Sequence, residues 1–325
     1  MGSDDRHRRV VIARFVAGRI IALVATLLVA SVVIYALLFI SPGDPATLLV
    51  GGSRPNPKVV AEIHREYHLD DPFFTSYWRW FRGVLHGDFG KSLVYRDSVS
   101  HLLSGRIVNT LLLVVYAGVL ILVIGVGGGL LGGLRGGRTE AAVTVGGSVA
   151  MAFPTFVVAV ILITIFATKL SWFPVFGAGD ALTDKLWHLT LPALSLAFAY
   201  IAWVARVTQT AVRAEMYAEH VDTARSRGLP DRWIVRRHVV RNASPPILAV
   251  SGLMIAGLFA GTAVAEEAFG IDGLGSLLVE SAGKQDLAVV QILSLLMVAA
   301  FVVINSLVDI ANAALDPRQA VRARV

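Results

Sequence analysis

Ile107–Leu134 reads IVNTLLLVVYAGVLILVIGVGGGLLGGL, without an Asp, Glu, Lys or Arg anywhere in it. A hydrocarbon core about 30 Å thick is crossed by about 20 apolar residues of helix. Helix is also the open-chain structure that satisfies its own backbone donors and acceptors in lipid. Five more uncharged stretches meet or nearly meet the same test: Ile20–Gly43, Ala141–Thr168, Leu186–Ala205, Asn242–Ala265 and Leu287–Val308. The 325 residues around and within them are 55% hydrophobic and 16% charged, with mean hydropathy +0.68, whereas a soluble domain carries about 25% charged residues. The pattern predicts an all-α polytopic membrane protein with six transmembrane helices. Ile20–Gly43 is too long for a signal-peptide core and ends in Ser41-Pro42-Gly43-Asp44 rather than a small-x-small cleavage site, so it is expected to remain as a helix.

The basic residues set the orientation. Arg6, Arg8, Arg9, Arg14 and Arg19 precede or begin the first run, Arg135 and Arg138 follow the second, and Arg213, Arg225, Arg227, Arg232, Arg236, Arg237 and Arg241 follow the fourth. Arg318, Arg322 and Arg324 close the chain, while the two short loops of the other side hold Lys169, Lys185 and Lys284. The positive-inside rule places both termini in the cytoplasm. The net charge of +6 is thereby topological and calls for no nucleic-acid partner. Cysteine is absent, which excludes disulfides, thiol nucleophiles and thiolate metal sites.

The chain divides into residues 1–106, the first helix plus an outer loop with short amphipathic helices, and a core of five helices over 107–325 with the cytoplasmic loop at about 213–241. In the outer loop, Asn56-Pro57 suits a helix start, followed by a stripe of Val60, Ile63 and Tyr67. A second helix is expected at Phe74, Tyr77, Trp78, Phe81 and Leu85, where Trp78, Arg79, Trp80 and Arg82 suit the headgroup layer. Two uses of it stay open: a platform for an external partner, or a helix lying on the bilayer.

Several motifs are excluded by their neighbours. Gly90-Lys91-Ser92 imitates the end of a phosphate-binding loop, but Leu85 stands where the motif needs its first glycine. His64 and His68 share a helix face with Arg65 between them, not the glutamate of a zinc helix, so no metal site is expected. Gly125, Gly129 and Gly133, with Gly128 and Gly132, have the spacing of close helix packing. Arg206 and Asp309 border the membrane runs, either snorkelling or pairing across the fourth and sixth spans. No ionisable chain crosses the bilayer, which weakens a proton-coupled carrier or an intramembrane enzyme.

The cytoplasmic loop, about residues 213–241, carries the most information. Met216-Tyr217-Ala218-Glu219-His220-Val221-Asp222-Thr223-Ala224-Arg225-Ser226-Arg227-Gly228-Leu229-Pro230 predicts a short helix with early acids, late arginines and a Gly-Pro stop. Ala218, Val221 and Ala224 fall on one narrow face along which another protein could approach. Glu219, Asp222, Arg225 and Arg227 could fix its register by charge.

Asp222-Thr223-Ala224 with Gly228 resembles the EAA loop of permease subunits of ABC importers. The wider string Val221 to Arg225, Gly228-Leu229, His238 and Arg241-Asn242-Ala243 is similar to the oligopeptide and dipeptide branch, which shares most motifs with nickel importers. Leu69-Asp70-Asp71-Pro72 with Tyr77, Trp80 and Gly87-Asp88-Phe89-Gly90-Lys91-Ser92 resembles the outer region of its B-type permease. Glu266-Glu267-Ala268-Phe269-Gly270, Gly273-Leu274-Gly275, Leu278 and Asp316-Pro317-Arg318 extend the likeness. Asp222 replaces the usual glutamate and Thr223 the first alanine; Pro245-Pro246 is an unusual pair.

The resemblance implies a type I ABC importer permease in a bacterial cytoplasmic membrane, forming half of a path for oligopeptides or dipeptides, with a nickel complex as the alternative cargo. It implies a second homologous permease, cytoplasmic ATPases as separate subunits or one fused chain, and an extracytoplasmic peptide-binding protein. ATP and magnesium would be held by those partners, leaving this subunit without cofactor or catalytic residue. Ala218, Glu219, Val221, Asp222, Thr223, Ala224, Arg225, Arg227 and Gly228 would form the coupling helix.

Overall fold

The computed structural model describes residues 2–40, 57–66, 71–92 and 94–315. Tyr67, His68, Leu69, Asp70, Asn56 and Asp316-Pro317-Arg318, used above, lie outside the described residues, as does the side chain of Ile63. The elements are α1 (Gly2–Ile40), α2 (Pro57–Glu66), α3 (Phe73–Leu85), a hairpin of β1 (Lys91–Ser92) and β2 (Asp97–Ser98), α4 (Val99–Ser104), α5 (Arg106–Leu120), α6 (Gly127–Arg135), α7 (Gly137–Met151) and α8 (Thr155–Leu162). There follow α9 (Leu182–His188), α10 (Thr190–Met216), α11 (Glu219–Ser226), α12 (Asp231–Ile234), α13 (Val240–Ala268), α14 (Leu274–Gly283) and α15 (Leu287–Leu315). Wider π-helical turns at Ile121–Val126, Ile163–Lys169 and Val235–Val239 join or extend them.

Arg14–Leu37, Val99–Arg135, Thr190–Met216, Asp231–Ala268 and Leu287–Ala311 are long and apolar enough to cross a membrane. The third uncharged run is not one straight helix as expected: α7 and α8 meet at 101°. Pro154 supplies the cause. It has no N–H for the preceding turn and drives Phe153 out of the helical region. The α7–α8 pair nevertheless counts as a single crossing. Arg19 of α1 lies 3.0 Å from Asp309 of α15, so the first span begins beside the end of the last, and only an even number of crossings allows that. Asp309 therefore pairs with Arg19 and not with Arg206, whose Nη1 donates to Ser148 Oγ at 3.1 Å.

α10 is the central helix, packed against α5, α6, α7, α8 and α13. In lipid an apolar side chain gains little by leaving hydrocarbon, so close backbone approach and hydrogen bonds must hold spans together. The glycine stripe provides this. A Cβ on Gly125, Gly129 or Gly133 would stand 3.1, 2.4 or 3.0 Å from the carbonyl oxygens of Ile201, Ala205 and Gln209. Three successive turns of the second span thus lie directly on three turns of α10.

Two smaller clusters close the ends. Outside, Val99, Leu103, Leu274, Leu277, Val289, Ile292 and Leu293 are buried, with Trp80, Val84 and Phe89 of the outer loop against them. Inside, Val212, Val221, Ala224, Ile234, Val239, Ala243 and Ile247 form a separate core under the cytoplasmic loop.

Candidate functional site

α11 forms where the chain turns back toward the membrane. Ala218 before it is extended, and Thr223 Oγ1 and Ser226 Oγ donate to the Glu219 and Asp222 carbonyls within the helix, at 2.9 and 3.0 Å. Glu219 and Asp222 stand in its first turn and Arg225 in its last, each complementing the helix dipole. The stop is a Schellman motif: the Leu229 amide donates to Ala224 O at 3.3 Å and the Gly228 amide to Arg225 O at 2.9 Å. Gly228 takes φ +75°, which an L-residue adopts at a cost. Arg225 reaches Asp222 at 3.4 Å and Asp231 at 3.6 Å, tying the helix to the start of α12.

The helix has two unlike faces. Val221 and Ala224 are buried against Ile234, Val239 and Ala243. The narrow face read above as open to another protein therefore turns inward at these two positions, because small apolar side chains let α11 seat closely on its own chain. Glu219, Asp222, Thr223, Arg225, Arg227 and Gly228 are exposed, and Ala218 is half-buried at the edge. Burying one Val contributes about 1.5–3 kcal/mol, enough to make a helix of two turns follow the body beneath it.

That body is the start of the fifth span. Asn242 Nδ2 lies 3.2 Å from His220 Nε2, and His220 lies 3.4 Å from Glu215 at the end of α10. Trp233 meets His238 edge-on at 5.1 Å between ring centres. The Pro245-Pro246 pair sits inside α13 without ending it. Pro245 cannot donate to the carbonyl of Arg241, and the Ser244 hydroxyl donates there instead at 2.8 Å. α11 is thus keyed to both α10 and α13.

A second polar centre lies at the opposite end. Glu266 is fully buried and accepts from Thr110 Oγ1 at 2.6 Å and from the Ser276 amide at 2.8 Å. Thr110 Oγ1 in turn accepts from the Leu274 amide at 2.8 Å. The N-terminal amides of α14, which its own helix leaves unpaired, are capped by side chains of α5 and α13. Asn109 bridges Lys185 and the Asp272 carbonyl nearby, at 2.8 and 2.9 Å. A cleft of about 320 Å³ opens beside Arg106, Glu267, Asp272 and Glu280.

The outer hairpin fastens to the same end. Ser92, buried, donates to Asp286, which is also buried and immediately precedes α15. The false phosphate-loop tail is therefore a latch, with Lys91 paired across the hairpin to Ser98. Sequence reasoning attached Glu266 and Ser92 to motifs but not to these partners; the only signal was a carboxylate set beside glycines at the end of an apolar run. His64 lies on α2. Among the described residues no three His, Asp or Glu side chains are grouped to hold a metal.

A family model for the binding-protein-dependent transport system inner membrane component matches residues 125–321, and one for the N-terminal part of such membrane components matches residues 12–114. The glutathione transport system permease protein GsiC of Salmonella paratyphi A is 33% identical over 310 residues, covering 93% of this chain and 97% of its own. GsiC of Escherichia coli K12 is 32% identical over 304 residues with the same coverage. The MetNI methionine ABC transporter, solved in inward facing conformations, aligns with TM-score 0.52 and 18% identity, over 66% of this chain and 96% of that one. At that identity the likeness is one of fold.

Proposed function

Since this chain belongs to the family of binding-protein-dependent transport system inner membrane components and is a multi-pass permease subunit of an ABC importer, we propose that its cargo is a short peptide of the glutathione class. The curated relatives carry that substrate in their names, and the B-type peptide-permease motifs noted in the sequence run nearly the full length of the chain. The family implies an ATPase, a substrate-binding protein and a second permease. We assign the second permease as a homologous but different subunit, and the external partner as a peptide-binding protein. The subunit itself breaks and forms no bond.

The coupling element in this proposal is α11 with its flanks: Ala218, Glu219, Val221, Asp222, Thr223, Ala224, Arg225, Arg227 and Gly228. The single observation behind it is the division of labour on this helix. Val221 and Ala224 lock it to α10, α12 and α13, while its charged face and the Gly228 turn stay open to the cytoplasm. A push received on the open face is then delivered to two spans as a rigid-body motion. In the same proposal residues 1–106, the first membrane helix plus the outer loop with its short amphipathic helices, form one unit beside the core of residues 107–325.

Uptake of labelled glutathione and of a labelled tripeptide, with labelled nickel as comparison, tests the cargo in cells with and without the gene. Selective loss of peptide uptake supports the assignment. Loss of nickel alone would keep the permease and overturn the peptide.

A further inference from the structure

We propose that α3 is embedded in the outer leaflet, its outward aromatic face in the headgroup and upper acyl region, and that it is not a landing surface for a soluble protein. The two faces of α3 differ sharply. Tyr77, Trp80 and Val84 turn toward the protein, the last two onto the outer cluster of α14 and α15. On the other side Phe74 is 81% exposed, Trp78 50% and Leu85 67%, with Phe81 stacked on Trp78 between them at 5.9 Å. Spacing of four, three and four residues makes these one continuous helical stripe.

The depth of that stripe follows from what α3 touches. Tyr77 OH shares a hydrogen bond of 2.8 Å with Ser31 Oγ of α1, and Tyr35 packs against Phe73, Tyr77 and Trp80 with ring centres 5.7, 5.6 and 5.2 Å away. Both contacts fall inside the first span, Arg14–Leu37. Ser31 and Tyr35 follow Arg19, the last charge of that span, by 12 and 16 residues. At about 1.5 Å per residue they stand roughly 18 and 24 Å above it, within a hydrocarbon core about 30 Å thick. The crossing therefore lies some 6–12 Å below the outer boundary, close to the roughly 5–10 Å at which an interfacial helix buries its apolar face.

The exposed stripe of α3 also continues a surface that already faces lipid, since Val29, Val33 and Leu37 of α1 are open at the same end. The cations fit the phosphate layer. Arg82 lies over Trp78 at 5.1 Å, and the exposed Arg79 pairs with Asp71 at 2.7 Å. Long basic side chains with apolar stems reach from such a depth to anionic headgroups.

The full-length chain, which has no cysteine of its own, is labelled with a small environment-sensitive fluorophore at Phe74→Cys and, separately, at Leu85→Cys. Asp231→Cys on the cytoplasmic side is the aqueous reference. Each is placed in phosphatidylcholine and phosphatidylglycerol vesicles that contain nitroxide lipids labelled high or low on the acyl chain, and is titrated with aqueous iodide. The expected result is at least twofold stronger quenching by the high nitroxide than by the low one, and iodide quenching at least fivefold weaker than at the reference. Iodide quenching equal to the reference would overturn the proposal in favour of a water-facing platform. Protection from both quenchers at Phe74 and Leu85 would overturn it in favour of a protein cover.

Discussion

Replacing Gly228 separates what the turn does for its own chain from what it does for a partner. At φ +75° an L-residue costs about 1–2 kcal/mol, which shifts the balance between capped and frayed α11 by a factor of about 5–30. Nothing lies within 4 Å of where a Cβ would stand, so inside this subunit a larger side chain adds no further clash. Gly228→Ala and Gly228→Leu are therefore expected to lower the thermal stability of the purified subunit equally, to within about 0.5 kcal/mol. Gly228→Asn, which tolerates the left-handed region, falls closer to the parent. If the open face of α11 seats in an ATPase, Leu must lose more than Ala. The expected loss is at least tenfold in substrate-stimulated ATP hydrolysis and uptake by the reconstituted transporter, about 1.4 kcal/mol of coupling. Equal activity of the Ala and Leu variants would refute the docking argument and reduce Gly228 to a local helix stop.

Single cysteines on α11 carry the same logic further: Thr223→Cys should crosslink to an ATPase subunit and Ala224→Cys, only 5% exposed, should not; the reverse order would overturn the facing described here. Gly129→Leu should prevent stable accumulation of the subunit, since its Cβ alone would stand 2.4 Å from Ala205 O and 2.5 Å from Thr208 Cβ, and overpacking of this kind costs about 1–3 kcal/mol or more; normal yield in a size-exclusion profile would count against the stripe. Glu266→Ala strips buried donors of their acceptor at about 1–3 kcal/mol each, so hydrogen exchange at Gly275 and Ser276 should quicken at least tenfold, and unchanged rates would refute the capping role. Asp97 is held below the ordinary carboxylate range, chiefly by its hydrogen bond with His101 at 2.5 Å. A depressed carboxylate stabilises the fold above its unfolded pKa and loses that contribution as pH falls through the folded one, so exchange at the Ser98 and His101 amides should rise only below about pH 4, and rates that show no such onset would refute the contribution.

What was legible in the sequence is what lipid enforces along a single helix. Six uncharged runs and the arginines between them led to the crossings and their direction, because hydrocarbon admits no unpaired backbone. The bend in the third run was hidden: Phe153-Pro154 sits inside an uncharged stretch, and a hydropathy argument does not see the missing N–H. The partner of Asp309 was also hidden, since α1 and α15 lie at opposite ends of the chain. On α11 the period placed Val221 and Ala224 on one face correctly, yet nothing in eight residues says whether that face meets a partner or the subunit's own core. Gly90-Lys91-Ser92 misled in a similar way. Its identity as a latch depends on Asp286, 194 residues on.

The capping of α14 from outside has a consequence for synthesis. Thr110 is made 156 residues before Glu266, and Ser92 still further ahead of Asp286. At about 5–20 residues per second on the ribosome, those hydroxyls wait roughly 8–40 s for their acceptors while the intervening spans are threaded into the bilayer. A chain that ends before Asp286 cannot complete the outer fastening, because its two acceptors arrive at the end of the fifth span and just before the sixth. The extracytoplasmic face is thus a seal whose hydroxyl halves are laid down early and whose carboxylate halves come late, near the fifth and sixth spans.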